Sequence, residues 1–315
     1  MENAKAILGV VIMFGLAGLV FLGLIGIAMP GLSDSGSFIL GGVIGAIAIP
    51  IVWRVFDFGE GSKQTSALAP GSSRMQSPST GGKDYSLVPH DWERELSENG
   101  FSRHLLQDLC AEIDAAYSRS TKVYPRQKKL FRALYLTPFD KVRVVIIGQD
   151  PYPAKGRADG LAFSIKKGNP DIPRTLRRIF DNLYSDLYPL STRPTGGDLT
   201  PWAKQGVLLL NSALTVERNA TAEVARHHQM VWEPFSAAVI RAVNSRATPI
   251  VFIFWGDKAC EFETLVSNPH LILRSAHPSP RNIGRSTVLP AFESTHPFSE
   301  ANCFLGSRKI DWRIS

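Results

Sequence analysis

The sequence predicts an α/β domain with a central, mainly parallel four-stranded sheet flanked by helices, preceded by one or two membrane-spanning helices. Three observations carry this. Four short apolar runs rich in branched residues, at 144–147, 207–210, 250–255 and 271–274, are separated by helical stretches, the pattern of buried parallel strands. Each run ends in polar residues: Gly148-Gln149-Asp150, Asn211, Gly256-Asp257 and Ser275-Ala276-His277. Residues 6–29 hold no charged side chain, a run longer than the roughly 20 residues needed to cross a hydrocarbon core as a helix.

Taken in order, the chain begins with that apolar segment. A second apolar run, 38–53, follows the short connection 30–37 and contains Pro50 near its end, so it is marginal as a span. Gly41-x-x-x-Gly45 and Gly42-x-x-x-Ala46 would let its backbone approach the first helix closely. Residues 1–58 are therefore read as a membrane anchor, a helical hairpin of 6–29 and 38–53, with a re-entrant or interfacial second segment as the alternative. Lys5 precedes the first span, Arg54 and Lys63 follow the second, and the connection holds only Asp34. The positive-inside rule then puts both ends, and the domain that follows, on the cytoplasmic side. A cleaved signal peptide is disfavoured by the length of the run and its single preceding lysine. Translation from a later start such as Met75 would give a soluble cytoplasmic protein.

Residues 59–84 change to Ser, Gly, Thr, Pro and Gln without apolar periodicity, the composition of a flexible tether. The remaining part, 85–315, is roughly 230 residues, a size that suits one α/β domain with a sizeable core. Between 87 and 135 the pattern is helical, with Leu105, Leu106, Leu109, Ile113 and Ala116 on one apolar face. A further helix opens at Arg174, Arg177 and Arg178 and runs to about Leu187.

The formal net charge is +7, and the first sixty residues carry two basic against four acidic side chains, leaving +9 on the rest. That balance suits a polyanionic partner. Cys110, Cys260 and Cys303 are scattered without a Cys-x-x-Cys pair, which argues against an iron–sulfur cluster, a zinc knuckle or a disulfide framework. Ligands of open α/β sheets bind beyond the carboxyl ends of the strands, so a carboxylate (Asp150), an amide (Asn211) and an imidazole (His277) should share one crevice. Alone, Asp150 before a proline reads as a turn residue, His277 as a satisfied structural histidine, and Phe163 as core packing.

Gly148-Gln149-Asp150-Pro151-Tyr152 changes that reading, because this string and its context resemble the family-1 uracil-DNA glycosylases. The likeness runs in order from about Leu87 to Trp312. It includes Val123-Tyr124-Pro125, Gly160-Leu161-Ala162-Phe163-Ser164, the segment 202–211, and His277-Pro278-Ser279-Pro280.

The resemblance implies the following roles. Asp150 lies under the deoxyribose, orients the attacking water and offsets the positive charge that develops at the anomeric carbon in an oxocarbenium-like state. His277 donates a hydrogen bond to uracil O2 as the base leaves with negative charge. Asn211 pairs with the N3–H and O4 edge, which cytosine reverses. Tyr152 blocks a C5 methyl group, and thymine with it. Phe163 stacks on the extruded base, and backbone groups near Gln149 complete the pocket. DNA phosphates are met by Pro173, Arg174, Thr175, Ser279 and Arg281, and by His227 or its neighbour His228. No metal or cofactor is implied, and without a lysine nucleophile no lyase step is expected. The chain should act as a monomer on single- or double-stranded DNA containing uracil.

Two departures from the family pattern bear on flipping. Pro153 stands where a water-holding histidine is frequent. Arg281 stands where a leucine usually wedges into the duplex, and the stretch 281–297 is about five residues longer than the usual pattern. Arg281 would stack on bases or bind phosphate, which predicts weaker flipping from duplexes and relatively better action on single strands. Two further readings differ from a uracil glycosylase: a non-catalytic, membrane-tethered DNA-binding or assembly protein that retains the fold, and a glycosylase of altered base preference. The presence of Asp150, Asn211, His277 and Tyr152 together argues against both.

Overall fold

The computed structural model describes residues 87–267, 269–283 and 288–314. The expected spans at 6–29 and 38–53 and the tether at 59–84 lie outside these residues. Among the described residues, no helix is long and apolar enough to cross a membrane.

Branched apolar residues form the sheet, as their run lengths predict. A two-residue strand β1 (Val123–Tyr124) precedes the long strands β2 (Val144–Gly148) and β3 (Val207–Asn211). A second short strand, β4 (Val216–Glu217), is followed by β5 (Val251–Trp255) and β6 (Leu271–Ser275). The main sheet has the order β3-β2-β5-β6 and every pairing in it is parallel. All residues of β2, β3 and β5 are buried, which explains why these segments show no polar alternation. β6 is only half-buried, consistent with its place at an edge. β1 and β4 pair antiparallel in a separate two-stranded ribbon too short to be read from the sequence.

Parallel neighbours need long crossovers, and helices supply them. Before the sheet lie α1 (His90–Glu98), α2 (Arg103–Arg119) and the short α3 (Arg132–Leu136). Between β2 and β3 come α4 (Arg174–Leu187) and α5 (Thr200–Lys204), and between β3 and β5 the long α6 (Ala222–Asn244). The short α7 (Asp257–Cys260) follows β5, and α8 (Pro297–Leu305) closes the set. Ser102 and Thr221 cap α2 and α6 by accepting the N–H groups of Leu105 and Val224 at 3.3 Å.

The apolar stripe of α4 falls at helical spacing: Leu176, Ile179, Phe180 and Leu183 are buried. On α2 the expected face is narrower. Leu109 and Ile113 are buried, Leu106 and Ala116 are half-buried, and Leu105 is 46% exposed in the first turn. Aromatic side chains join the layers. Phe131, Trp232 and Phe235 pack edge-on or tilted with ring centroids 5.5–5.9 Å apart. Trp202 donates its indole N–H to the carbonyl of Trp312 at 2.8 Å, which ties the C-terminal tail to α5.

Candidate active site

The parallel register aligns the strand ends. Gly148 pairs with Asn211 and Trp255 with Ser275, so the segments that follow β2, β3, β5 and β6 leave the sheet at one edge. There a cavity of about 510 Å³ opens, walled by Gln149, Asp150, Tyr152, Phe163, His277 and Ser279. Arg174, Thr175 and Arg281 line its rim, together with Pro151, Pro153 and Pro280. Nine of the sequence-expected site residues therefore share one depression.

The loop after β2 is anchored by main-chain bonds. Ser212 N–H donates to the Gly148 carbonyl at 2.8 Å and Ala213 N–H to the Gln149 carbonyl at 2.9 Å, while the Ser212 hydroxyl donates to the same Gln149 oxygen at 2.8 Å. These bonds fix where Asp150 leaves the strand. Its carboxyl is open to the cavity but surrounded by protein, and this partial desolvation pushes its pKa above the ordinary carboxylate value, against an opposing backbone hydrogen bond.

Asn211 does not line the cavity wall. Its side chain lies deeper, 7% exposed, beside Gly148. A Cβ at position 148 would run into Asn211 Oδ1, and would stand 3.1 Å from Ala162 Cβ and 3.4 Å from Phe163 Cε2. Glycine at 148 is thus what lets the amide and the Phe163 ring come together.

Phe163 adopts φ +62°, left-handed backbone that side-chain-bearing residues rarely occupy and that costs about 1–2 kcal/mol. Its neighbours hold it there. The Tyr152 hydroxyl donates to the Phe163 carbonyl at 3.1 Å, Ala162 N–H donates to the Leu209 carbonyl at 3.0 Å, and the Ser164 hydroxyl accepts the Leu199 N–H at 3.0 Å. The Phe163 ring meets Trp255 edge-on at 5.3 Å and lies 6.1 Å from the His277 ring. Burial keeps the Tyr152 phenol protonated far above neutrality, so it remains a donor to Phe163.

His277 follows β6 and packs against Gly256, which has φ +91° and whose replacement by any larger residue would bring a Cβ within 2.8 Å of His277 Cβ. Ser279 N–H donates to His277 Nδ1 at 2.9 Å. A ring nitrogen that accepts from a main-chain N–H carries no proton, so the neutral imidazole bears its proton on Nε2. Burial, and secondly the charge of Arg178, hold the His277 pKa below the ordinary histidine value. The site thus presents a neutral N–H donor and a carboxylate on the walls of one cavity.

Other expected residues fall elsewhere. Pro173 is the residue before α4 and leaves the first N–H groups of the helix without a side-chain cap, next to Arg174 and Thr175. The Ser279 hydroxyl accepts the Arg281 N–H at 3.3 Å and caps the single turn Pro280–Asn282. His227 lies outside the cavity on an exposed part of α6, 3.1 Å from Glu112. His228 is buried, with Nδ1 2.8 Å from the Thr215 hydroxyl that also receives the Trp232 indole N–H, so of the two histidines only His227 is on the surface.

Sequence reasoning gave Gly256, Trp255 and Arg178 no role in the site. The first two act through tertiary packing alone. Arg178 lies one helical turn beyond Arg174, and its partners, the Pro278 carbonyl and Glu293, are about a hundred residues away in sequence.

The family model of the Uracil DNA glycosylase superfamily matches residues 135–306. A protein of Streptococcus thermophilus named uracil-DNA glycosylase is 43% identical over 225 residues, covering 70% of this chain and 97% of its own length. One of Alkaliphilus metalliredigens with the same name is 42% identical over 237 residues, covering 73% and 97%. Among solved structures, the mimivirus uracil-DNA glycosylase superposes with a TM-score of 0.62 at 27% identity, covering 73% of this chain and 88% of that one.

Proposed function

Since the chain belongs to the uracil DNA glycosylase superfamily, we infer that it is a uracil-DNA glycosylase, a hydrolase of base excision repair that cleaves the N-glycosidic bond of deoxyuridine in DNA, releasing uracil and leaving an abasic site. The observation that carries the reading of its chemistry is the convergence of Asp150, Phe163 and His277 on one cavity at the ends of the parallel strands.

In this reading a uracil turned out of the helix enters the cavity and stacks on Phe163. Asp150, ionised, sits beneath the sugar and stabilises the oxocarbenium character of the anomeric carbon while it orients a water. His277 donates from Nε2 to the O2 of the departing base and stabilises the negative charge that collects there. The water oxygen bonds to the anomeric carbon, its proton is lost toward Asp150, and uracil leaves with the electron pair of the broken bond. Asn211, beside Gly148, reads N3–H and O4 once the base has passed the rim. Tyr152, tethered to the Phe163 carbonyl, closes the space a C5 methyl would need. Arg174, Thr175, Ser279 and Arg281 receive phosphates at the rim, with the open N-terminus of α4 adding its N–H groups. His227 reaches the DNA backbone outside the cavity. All these groups come from one chain, so a monomer suffices.

Incubating the full chain with uracil-containing single- and double-stranded oligonucleotides in the presence of a chelator tests the reading. Uracil release with an intact, alkali-labile strand is the expected result. Retention of the DNA without release would return the protein to the non-catalytic, DNA-binding alternative.

For the N-terminal part we propose that residues 6–29 and 38–53 anchor the domain to a membrane with the enzyme on the cytoplasmic side, the segment 59–84 serving as tether. What supports this is the uncharged length of the first run and the flanking Lys5, Arg54 and Lys63. Cell fractionation should place the full chain with membranes; a soluble full chain would remove the anchor.

A further inference from the structure

We propose that Arg178 is a positioning residue for His277, acting through the Pro278–Ser279 peptide group, and that Glu293 sets how much of its charge reaches the imidazole. The inference rests on the role given above to His277. The two halves of that one peptide group are used separately. Its carbonyl, on Pro278, accepts from Arg178 Nη1 at 3.0 Å. Its N–H, on Ser279, donates to His277 Nδ1 at 2.9 Å. In a trans peptide these bonds point in opposite directions, so the guanidinium and the imidazole lie on opposite sides of the same plane. A charged donor on the carbonyl holds the plane in place and polarises the N–H, which strengthens its bond to Nδ1. A firmer Nδ1 acceptor contact means a firmer Nε2–H tautomer, the one that faces the leaving base.

Arg178 is built for this task. Its side chain is 15% exposed although it stands in the first turns of a surface helix, and its other terminal nitrogen forms an ion pair with Glu293. Glu293 belongs to the single turn Phe292–Ser294, within the stretch 281–297. Asn182, one turn further along α4, donates to the carbonyls of Phe292 at 3.1 Å and Thr295 at 2.8 Å and so holds that turn in place. Among the described residues, the charged groups that share the cavity lining with His277 are Asp150 on the loop after β2, Arg174 at the start of α4 and Arg281 beyond Pro280. The Phe163 ring lies 6.1 Å from the imidazole, and Trp255 packs edge-on against Phe163. Of the three cations, Arg178 is the one hydrogen-bonded to the peptide that His277 uses.

The test combines ¹⁵N NMR of histidine-labelled full chain, with His277 assigned by its loss in His277→Leu, and steady-state uracil release across pH. In the parent protein the Nε2–H tautomer should dominate. Arg178→Gln should move the His277 midpoint up, loosen the tautomer, lower kcat by about tenfold with little change in KM, the scale of one charge-assisted hydrogen bond, and carry the acid limb of the rate profile upward. Arg178→Lys should restore most of the loss. Glu293→Gln, at a side chain 58% exposed, should unmask the guanidinium and move the midpoint down. A His277 midpoint and tautomer unchanged in folded Arg178→Gln would overturn the inference, and so would an unchanged or raised midpoint in Glu293→Gln. If the NMR midpoint moves as stated but the rate profile does not follow, the Arg178 contact is upheld and it is the part assigned to His277 in the reaction that fails.

Discussion

Gly148→Ala is the sharpest structural perturbation the site offers, because it adds one carbon where three groups already meet. The new Cβ would overlap Asn211 Oδ1 and press on Ala162 Cβ at 3.1 Å and Phe163 Cε2 at 3.4 Å. The backbone cannot retreat: position 148 lies in β2 paired with Asn211, and its carbonyl holds Ser212 N–H at 2.8 Å. The Asn211 amide must therefore rotate out of place. Forcing one methyl group into a packed interior costs about 1–3 kcal/mol of stability, and loss of a polar group made to match a substrate edge costs discrimination of a comparable size or more. The expected outcome is a folded protein with a lowered melting temperature, uracil release reduced by about a hundredfold, and a narrowed gap between uracil and cytosine. Differential scanning calorimetry and single-turnover release from matched uracil and cytosine oligonucleotides would measure these. Wild-type rate and selectivity in Gly148→Ala would refute the placement of Asn211 against the base.

Three other outcomes are expected. Phe163→Ala removes the stacking surface and should raise KM with a loss of about 1–3 kcal/mol in kcat/KM, whereas Phe163→Gly should match that loss yet melt higher than the alanine variant by relieving the φ +62° backbone, worth about 1 kcal/mol. The pH profile should fall on the acid side as Asp150 becomes protonated or His277 becomes charged. Because burial raises the Asp150 pKa and lowers that of His277, the residual activity of Asp150→Asn should persist below the ordinary histidine range, while that of His277→Leu should fail above the ordinary carboxylate range; limbs at the ordinary values would contradict the desolvation of both groups. Arg281→Leu should raise release from duplexes more than from single strands, read as the ratio of the two rates; an unchanged ratio would mean that Arg281 does not limit flipping.

The strands were legible because β2, β3 and β5 are buried on both faces, so their apolar runs lack interruption and their ends mark the site directly. Helix α4 was legible for a similar reason, its apolar residues falling at strict helical spacing. Residues whose part depends on a partner distant in sequence were not legible. Gly256 has φ +91° and leaves the room that His277 fills, and nothing local in Trp255-Gly256-Asp257 reveals that contact. Phe163 looks like core packing in its own segment, and its left-handed backbone is imposed by bonds to Tyr152, Leu209 and Leu199. In the sequence Arg178 is one of three arginines at the start of a helix and nothing more, yet it turns inward to Pro278 while Arg177 bonds the carbonyl of Ile172 on the outside. Leu105 shows the converse case, an apolar residue in phase with a buried stripe that is itself 46% exposed.

In the proposed reaction Asp150 and His277 divide the charge separation of one bond cleavage. Single-turnover uracil release by Asp150→Asn and His277→Leu, with folding checked by thermal melting and DNA binding by anisotropy, tests it most directly. Each substitution should slow release by about a hundredfold or more, the scale of one preorganised electrostatic contact, while melting and binding stay close to the parent values. Release at the parental rate in either folded, DNA-binding variant would contradict the account.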